Sequence, residues 1–215
     1  MKVTSLSEPR VVVADDAKAL IAELGLDHED LARAVAVSEA ERRATSPLEP
    51  SSAAGYKAWA GGFRALCEVL IPKGWERIEH HGLPRLVNHK KGIAIAIVNG
   101  DDGTGIRERS PRSRAKRGEE SVSLVGTNYV QLSLPFPEMQ EKADGSEITW
   151  WLLVHSDGGS TLRAELSLCV GIDEEGRLAA WKTRIILEIE PLNSITTLAT
   201  EEEPPAIIEV VVRPK

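Results

Sequence analysis

The stretch Ile148-Thr149-Trp150-Trp151-Leu152-Leu153-Val154-His155 runs into the turn Asp157-Gly158-Gly159. A second apolar run over residues 161–170, the turn Asp173-Glu174-Glu175-Gly176 and a third run over residues 177–189 follow. Each run is rich in β-branched and aromatic residues, and each is bounded by glycine-containing turns of hairpin length, so the three read as successive strands. Turns this short join neighbours that run in opposite directions, which predicts an antiparallel meander. Trp150 and Trp151 are adjacent on a strand and therefore face opposite sides of it.

Outward from this block the same period recurs. Residues 83–88 and 92–98 predict two strands joined at His89-Lys90-Lys91, and residues 206–212 predict a last strand after the bend Glu201-Glu202-Glu203-Pro204-Pro205. Nearer the N-terminus the period lengthens to that of a helix. Ala17, Leu20, Ile21 and Leu24 share one face, closed by Gly25. Leu31, Ala34 and Val35 mark a second helix capped by Asp27, which fades through residues 39–43 and stops near Pro47. Trp59, Phe63, Leu66 and Leu70 mark a third over residues 58–70. The expected fold is α+β, with N-terminal helices packed on one face of a mainly antiparallel sheet of about six strands. Residues 1–50 form a helical region and residues 51–215 an α+β domain. Two polar stretches, residues 99–126 and 138–146, carry no core pattern and are expected as mobile loops.

Composition bounds the rest. Of 215 residues 42% are hydrophobic and 27% charged, enough for a real core, and the net charge of −7 disfavours unspecific adhesion of the whole molecule to DNA or anionic lipid. Cys67 and Cys169 lie among apolar neighbours and are expected as buried free thiols. The start of the chain lacks an apolar signal-peptide core, and no apolar run approaches a membrane span of about 18 residues, so a cytoplasmic location and no membrane partner are expected.

One short segment carries the functional expectation. In Tyr129-Val130-Gln131-Leu132-Ser133-Leu134-Pro135-Phe136-Pro137 the alternation of Val130, Leu132 and Leu134 suits a half-buried strand, but the two prolines disfavour its continuation. They favour an extended stretch that presents Phe136 as an apolar anchor. Gln131, Leu132, Ser133, Leu134, Pro135 and Phe136 resemble the peptide with which bacterial polymerases, mismatch-repair proteins and the DnaA-inactivating factor dock on the replication sliding clamp. The resemblance implies an extended peptide with Gln131 as polar anchor, Leu134 and Phe136 as plugs in an apolar cleft, Leu132 as a secondary contact and Pro135 setting the reach. The implied partner is the bacterial sliding clamp. The implied function is that of a non-enzymatic accessory protein in DNA replication, repair or mobile-element maintenance. The chain as a whole is similar to uncharacterised bacterial proteins, some linked to mobile elements, which implies no activity.

Arg107, Arg109, Arg112, Arg114, Lys116 and Arg117 form a basic run that reads either as a solvated loop or as an arm on DNA phosphates. No aromatic residue is interleaved, so the run offers no stacking platform for single strands. Residues 27–45 resemble a helix-turn-helix core, although Ala36 replaces the turn glycine. The loop Gly100-Asp101-Asp102-Gly103-Thr104-Gly105 lacks the Gly-Lys-Ser/Thr ending of a phosphate-binding loop. His80, His81 and His89 do not have metal-ligand spacing. A DNA-processing, nuclease-like enzyme built on Asp157, Glu165 and Asp173, or a scaffold with no DNA role, are the competing readings. No catalytic motif and no cofactor are expected.

Overall fold

The computed structural model describes residues 8–133 and 147–189. The order of elements is β1 (Arg10–Val12), α1 (Ala14–Glu23), α2 (His28–Arg43), α3 (Ala53–Leu70), β2 (Glu76–His80), β3 (Leu83–Asn88), β4 (Ile93–Asn99), α4 (Glu119–Ser133), β5 (Ile148–Ser156), β6 (Leu162–Ile172) and β7 (Leu178–Leu187). The α+β class is as the sequence implies, but the sheet has seven strands, ordered β1-β7-β6-β5-β4-β3-β2.

Two antiparallel meanders, β2-β3-β4 and β5-β6-β7, lie side by side, and they meet at a parallel pair in which Ile93 faces Ile148 and Asn99 faces Val154. A parallel pair needs a crossover. Residues 100–147 supply it, with α4 inside, so one continuous meander is corrected to two fused ones. β1 adds a second parallel contact, to β7. The hairpin β2–β3 turns at His81 and Gly82, both with positive φ, as a two-residue hairpin requires.

Helices cover both faces of the sheet, not one. Against α1, α2 and α3 pack Ile95, Ile97, Trp150, Leu152, Leu166 and Ile185. Against α4 pack Ala96, Val98, Trp151, Leu153, Cys169 and Trp181, with Val125 of α4 among them. Trp150 and Trp151 thus enter opposite cores. α1 and α2 share their core with the sheet. α3 approaches α2 closely because Gly62 has no side chain. A Cβ there would stand 2.6 Å from Ile97 Cδ1 and 3.1 Å from Ser38 Cβ.

Several expectations are corrected. α2 is one uninterrupted helix from His28 to Arg43, with no turn at Ala36, so the helix-turn-helix resemblance fails. α3 begins at Ala53, five residues before the expected start at residue 58. Residues 119–126, expected in a loop, are helical. The last expected strand (residues 206–212) and the polar stretch 138–146 lie outside the described residues.

Candidate functional site

β6 carries Ala164, Leu166 and Leu168 into the first core, so the intervening Glu165 and Ser167 face the second side of the sheet. β7 brings Arg184 beside them. Glu165 and Arg184 are 0% and 1% exposed. Arg184 donates to Glu165 through Nε (3.0 Å to Oε1) and Nη2 (2.6 Å to Oε2). The Gly105 amide (2.9 Å) and the Ser167 hydroxyl (2.7 Å) complete the shell of the carboxylate. The guanidinium also donates to the carbonyls of Arg109 (2.7 Å) and Ile106 (3.0 Å). Arg163 donates to the carbonyls of Thr104 and Asp102. Trp181 Nε1 donates to Pro111 O at 2.7 Å. These bonds hold the polar segment 100–118 down on the sheet, although it has little apolar surface of its own.

Half of the basic run is therefore built into the protein. Arg109 pairs with Asp102 at 2.7 Å and thereby lowers the Asp102 pKa. Arg112 reaches Asp101, Asp173 and Glu175. Arg117 donates to Ala115 O, and burial pulls its pKa down. Arg107, Arg114 and Lys116 are exposed and make no ion pair among the described residues.

The competing acidic constellation does not assemble. Glu165 is locked to Arg184. Asp157 caps the β5–β6 turn by accepting from Gly159 and Thr161, and Asp173 caps the β6–β7 turn by accepting from Arg177. These turns sit at opposite ends of β6, roughly 35 Å apart at about 3.3 Å per residue. His81 pairs with Glu120, and His89 lies between Glu147 and Glu76. Among the described residues no group of three or more His, Cys, Asp or Glu side chains could hold a metal ion.

Two polar features escaped the sequence reading. At the carboxyl ends of β4 and β5, the buried Glu39 pairs with Arg43 (2.8 Å) and Arg42 (3.5 Å), and Arg42 donates to Asn99 Oδ1. Glu39, Arg42 and Arg43 at helical spacing were the available signal. Second, a cleft of about 530 Å³ opens at the start of α4, lined by His81, Leu83, Lys116, Arg117, Glu119 and Glu120 among others. Its two cations and two carboxylates leave neither sign dominant.

Of the clamp-like peptide, Gln131, Leu132 and Ser133 form the end of α4, and Leu134, Pro135 and Phe136 lie outside the described residues. The extended conformation expected for the first three is thus corrected to helix. Leu132 is half-buried against the core, whereas Tyr129 (38%) and Val130 (58%) just before it are exposed. No helix among the described residues is long and apolar enough to cross a membrane. No protein-family model, curated protein or solved structure matches the chain, so its family is left open and any function must be argued from these residues.

Proposed function

We propose that the protein is a non-enzymatic accessory factor recruited to the bacterial replication sliding clamp through Gln131, Leu132, Ser133, Leu134, Pro135 and Phe136, acting in DNA replication, repair or mobile-element maintenance. The observation that carries this reading is the sequence QLSLPF, of which the described residues Gln131, Leu132 and Ser133 belong to α4, preceded by the exposed apolar residues Tyr129 and Val130.

A clamp-docking peptide is extended, so the helical residues Gln131, Leu132 and Ser133 have to unwind. The principal apolar loss is Leu132. It is only half-buried, and its release costs about 1 kcal/mol. A micromolar complex supplies about 8 kcal/mol, which offsets that cost. Arg107, Arg114 and Lys116 are available to touch the phosphates of DNA threaded through a clamp, a contact that would weaken with salt. The nuclease-like alternative finds no support in the placement of Asp157, Glu165 and Asp173.

The test is fluorescence anisotropy of a labelled peptide spanning residues 129–138 with purified clamp, alongside surface plasmon resonance of the full chain. Both are expected to bind, and Gln131→Ala combined with Phe136→Ala is expected to abolish binding. Unchanged affinity of the double variant overturns the proposal.

A further inference from the structure

We infer that the chain pairs with a second copy of itself along the outer edge of β2, joining two seven-stranded sheets into one. β2 is the last strand in the sheet order. It pairs with β3 on one side, and among the described residues nothing pairs with the other. Glu76, Arg77, Glu79 and His80 are exposed. Among the described residues this edge therefore presents unpaired backbone donors and acceptors, which are a template for another strand. The opposite edge of the sheet is different, because β1 is only three residues long and covers part of β7.

The occupant is specified by charge. Glu76-Arg77-Ile78-Glu79-His80 is antisymmetric in sign about Ile78, each charged residue being mirrored by one of opposite or basic character. In an antiparallel pair related by a two-fold axis at Ile78, Arg77 faces Glu79 of the second copy and Glu79 faces its Arg77. Glu76 faces His80 in the same way, and Ile78 faces Ile78. Such pairing is isologous, since each copy offers the same patch. Moving the axis to Arg77 sets arginine against arginine, and moving it to Glu79 sets glutamate against glutamate. Like charges directly opposite are unfavourable, so one register is selected.

The side chains are already placed for this. Arg77 and Glu79 lie on the same face of β2, where Arg77 Nη2 donates to Glu79 Oε2. The Arg77 guanidinium also rests over the Phe63 ring, 5.9 Å from its centroid. Dimerisation extends this pair into an alternating ring of two arginines and two glutamates.

The test is analytical ultracentrifugation of the full chain at low and high salt. Wild type is expected at twice the monomer mass at low salt at roughly 100 µM, a concentration that populates even a weak complex. Arg77→Glu and Glu79→Arg each set like charges across the axis and are expected to be monomeric. An equimolar mixture of the two variants restores both opposite-charge contacts and is expected to sediment as a one-to-one heterodimer, which also shows that each variant is folded. A monomeric wild type, single variants that dimerise like wild type, or a mixture that stays monomeric each overturn the proposal. Wild type captured by an unrelated strand but not by itself does so too.

Discussion

Replacing Arg184 with methionine removes the cation from a fully enclosed ion pair while keeping most of the side-chain volume. Glu165 would keep the Gly105 amide and Ser167 hydroxyl but lose both guanidinium bonds, at 3.0 and 2.6 Å. Stranding a buried charge in this way costs about 3–5 kcal/mol. Domains of this kind have only about 5–15 kcal/mol of stability, so the loss is a large fraction of the whole. With a urea dependence of about 2 kcal/mol per molar, the unfolding midpoint should fall by about 2 M. Fluorescence of Trp150, Trp151 and Trp181, all buried, reports the transition. The carbonyls of Ile106 and Arg109 lose their donor as well. Segment 100–118 should therefore become open to trypsin at Arg107 and Arg109 under native conditions. The double variant Glu165→Leu with Arg184→Met separates the two effects. An ordinary buried pair replaced by apolar residues is often neutral or stabilising. Here the Gly105 amide and two loop carbonyls still lose their partners, at about 1–3 kcal/mol each where they stay buried. The double variant should therefore remain at least about 2 kcal/mol below wild type. Recovery of wild-type stability with the loop still protected refutes the reasoning, as does a single-variant loss under about 1 kcal/mol.

Two further outcomes are expected. Asn128 is buried and makes three bonds to backbone, to Thr149 O (2.8 Å), to Cys169 O (2.9 Å) and from Thr149 N (2.9 Å), just where β6 shifts register against β7 at Cys169. Asn128→Leu should cost about 2–4 kcal/mol and speed hydrogen exchange at the Thr149 amide, and unchanged exchange would show that α4 is held some other way. For His155, burial lowers the pKa below its usual value more strongly than the bond to Gly100 O raises it. The neutral ring is therefore the folded-state form, and the unfolded chain binds the proton first as pH falls. The associated stability is present above the ordinary histidine pKa of about 6.5 and is lost on acidification below it. His155→Gln should flatten that limb in urea titrations between roughly pH 5 and 7.

The strands that bury both faces were legible because a run such as Ile93–Asn99 or Ile148–Ser156 is apolar almost throughout. That same property signals a sheet covered on both sides, and the second layer should have been expected from it. β2 was missed because an exposed edge strand reads as Glu-Arg-Ile-Glu-His, with a single apolar residue. α4 was missed because much of its packing is polar. Val125 enters the core, but Asn128 supplies the anchoring and Gly126 and Thr127 dilute the helical pattern. Without α4 there is no crossover, and without a crossover β4 and β5 cannot be parallel. One unrecognised helix thus accounts for the error in topology and for reading Gln131 and Leu132 as extended.

The basic segment was misread for a different reason. A loop with six cations and few apolar residues has no core pattern, and composition alone suggests that it stays solvated. Its order comes instead from Glu165 and Arg184, which lie roughly 50–80 residues further on, at positions of β6 and β7 that a two-residue alternation assigns to the outer face. The outer face is not at the surface, because the loop itself buries it. A buried arginine has five donors and a carboxylate can satisfy only some of them, so the remainder must find carbonyls. Residues 106 and 109 provide those carbonyls. The ion pair and the loop therefore require each other. Without the loop the guanidinium loses two of its acceptors, and without the guanidinium the carbonyls of Ile106 and Arg109 lose their donor. This mutual dependence places the charged segment in the folding unit, and of its cations only Arg107, Arg114 and Lys116 are exposed without an ion pair among the described residues.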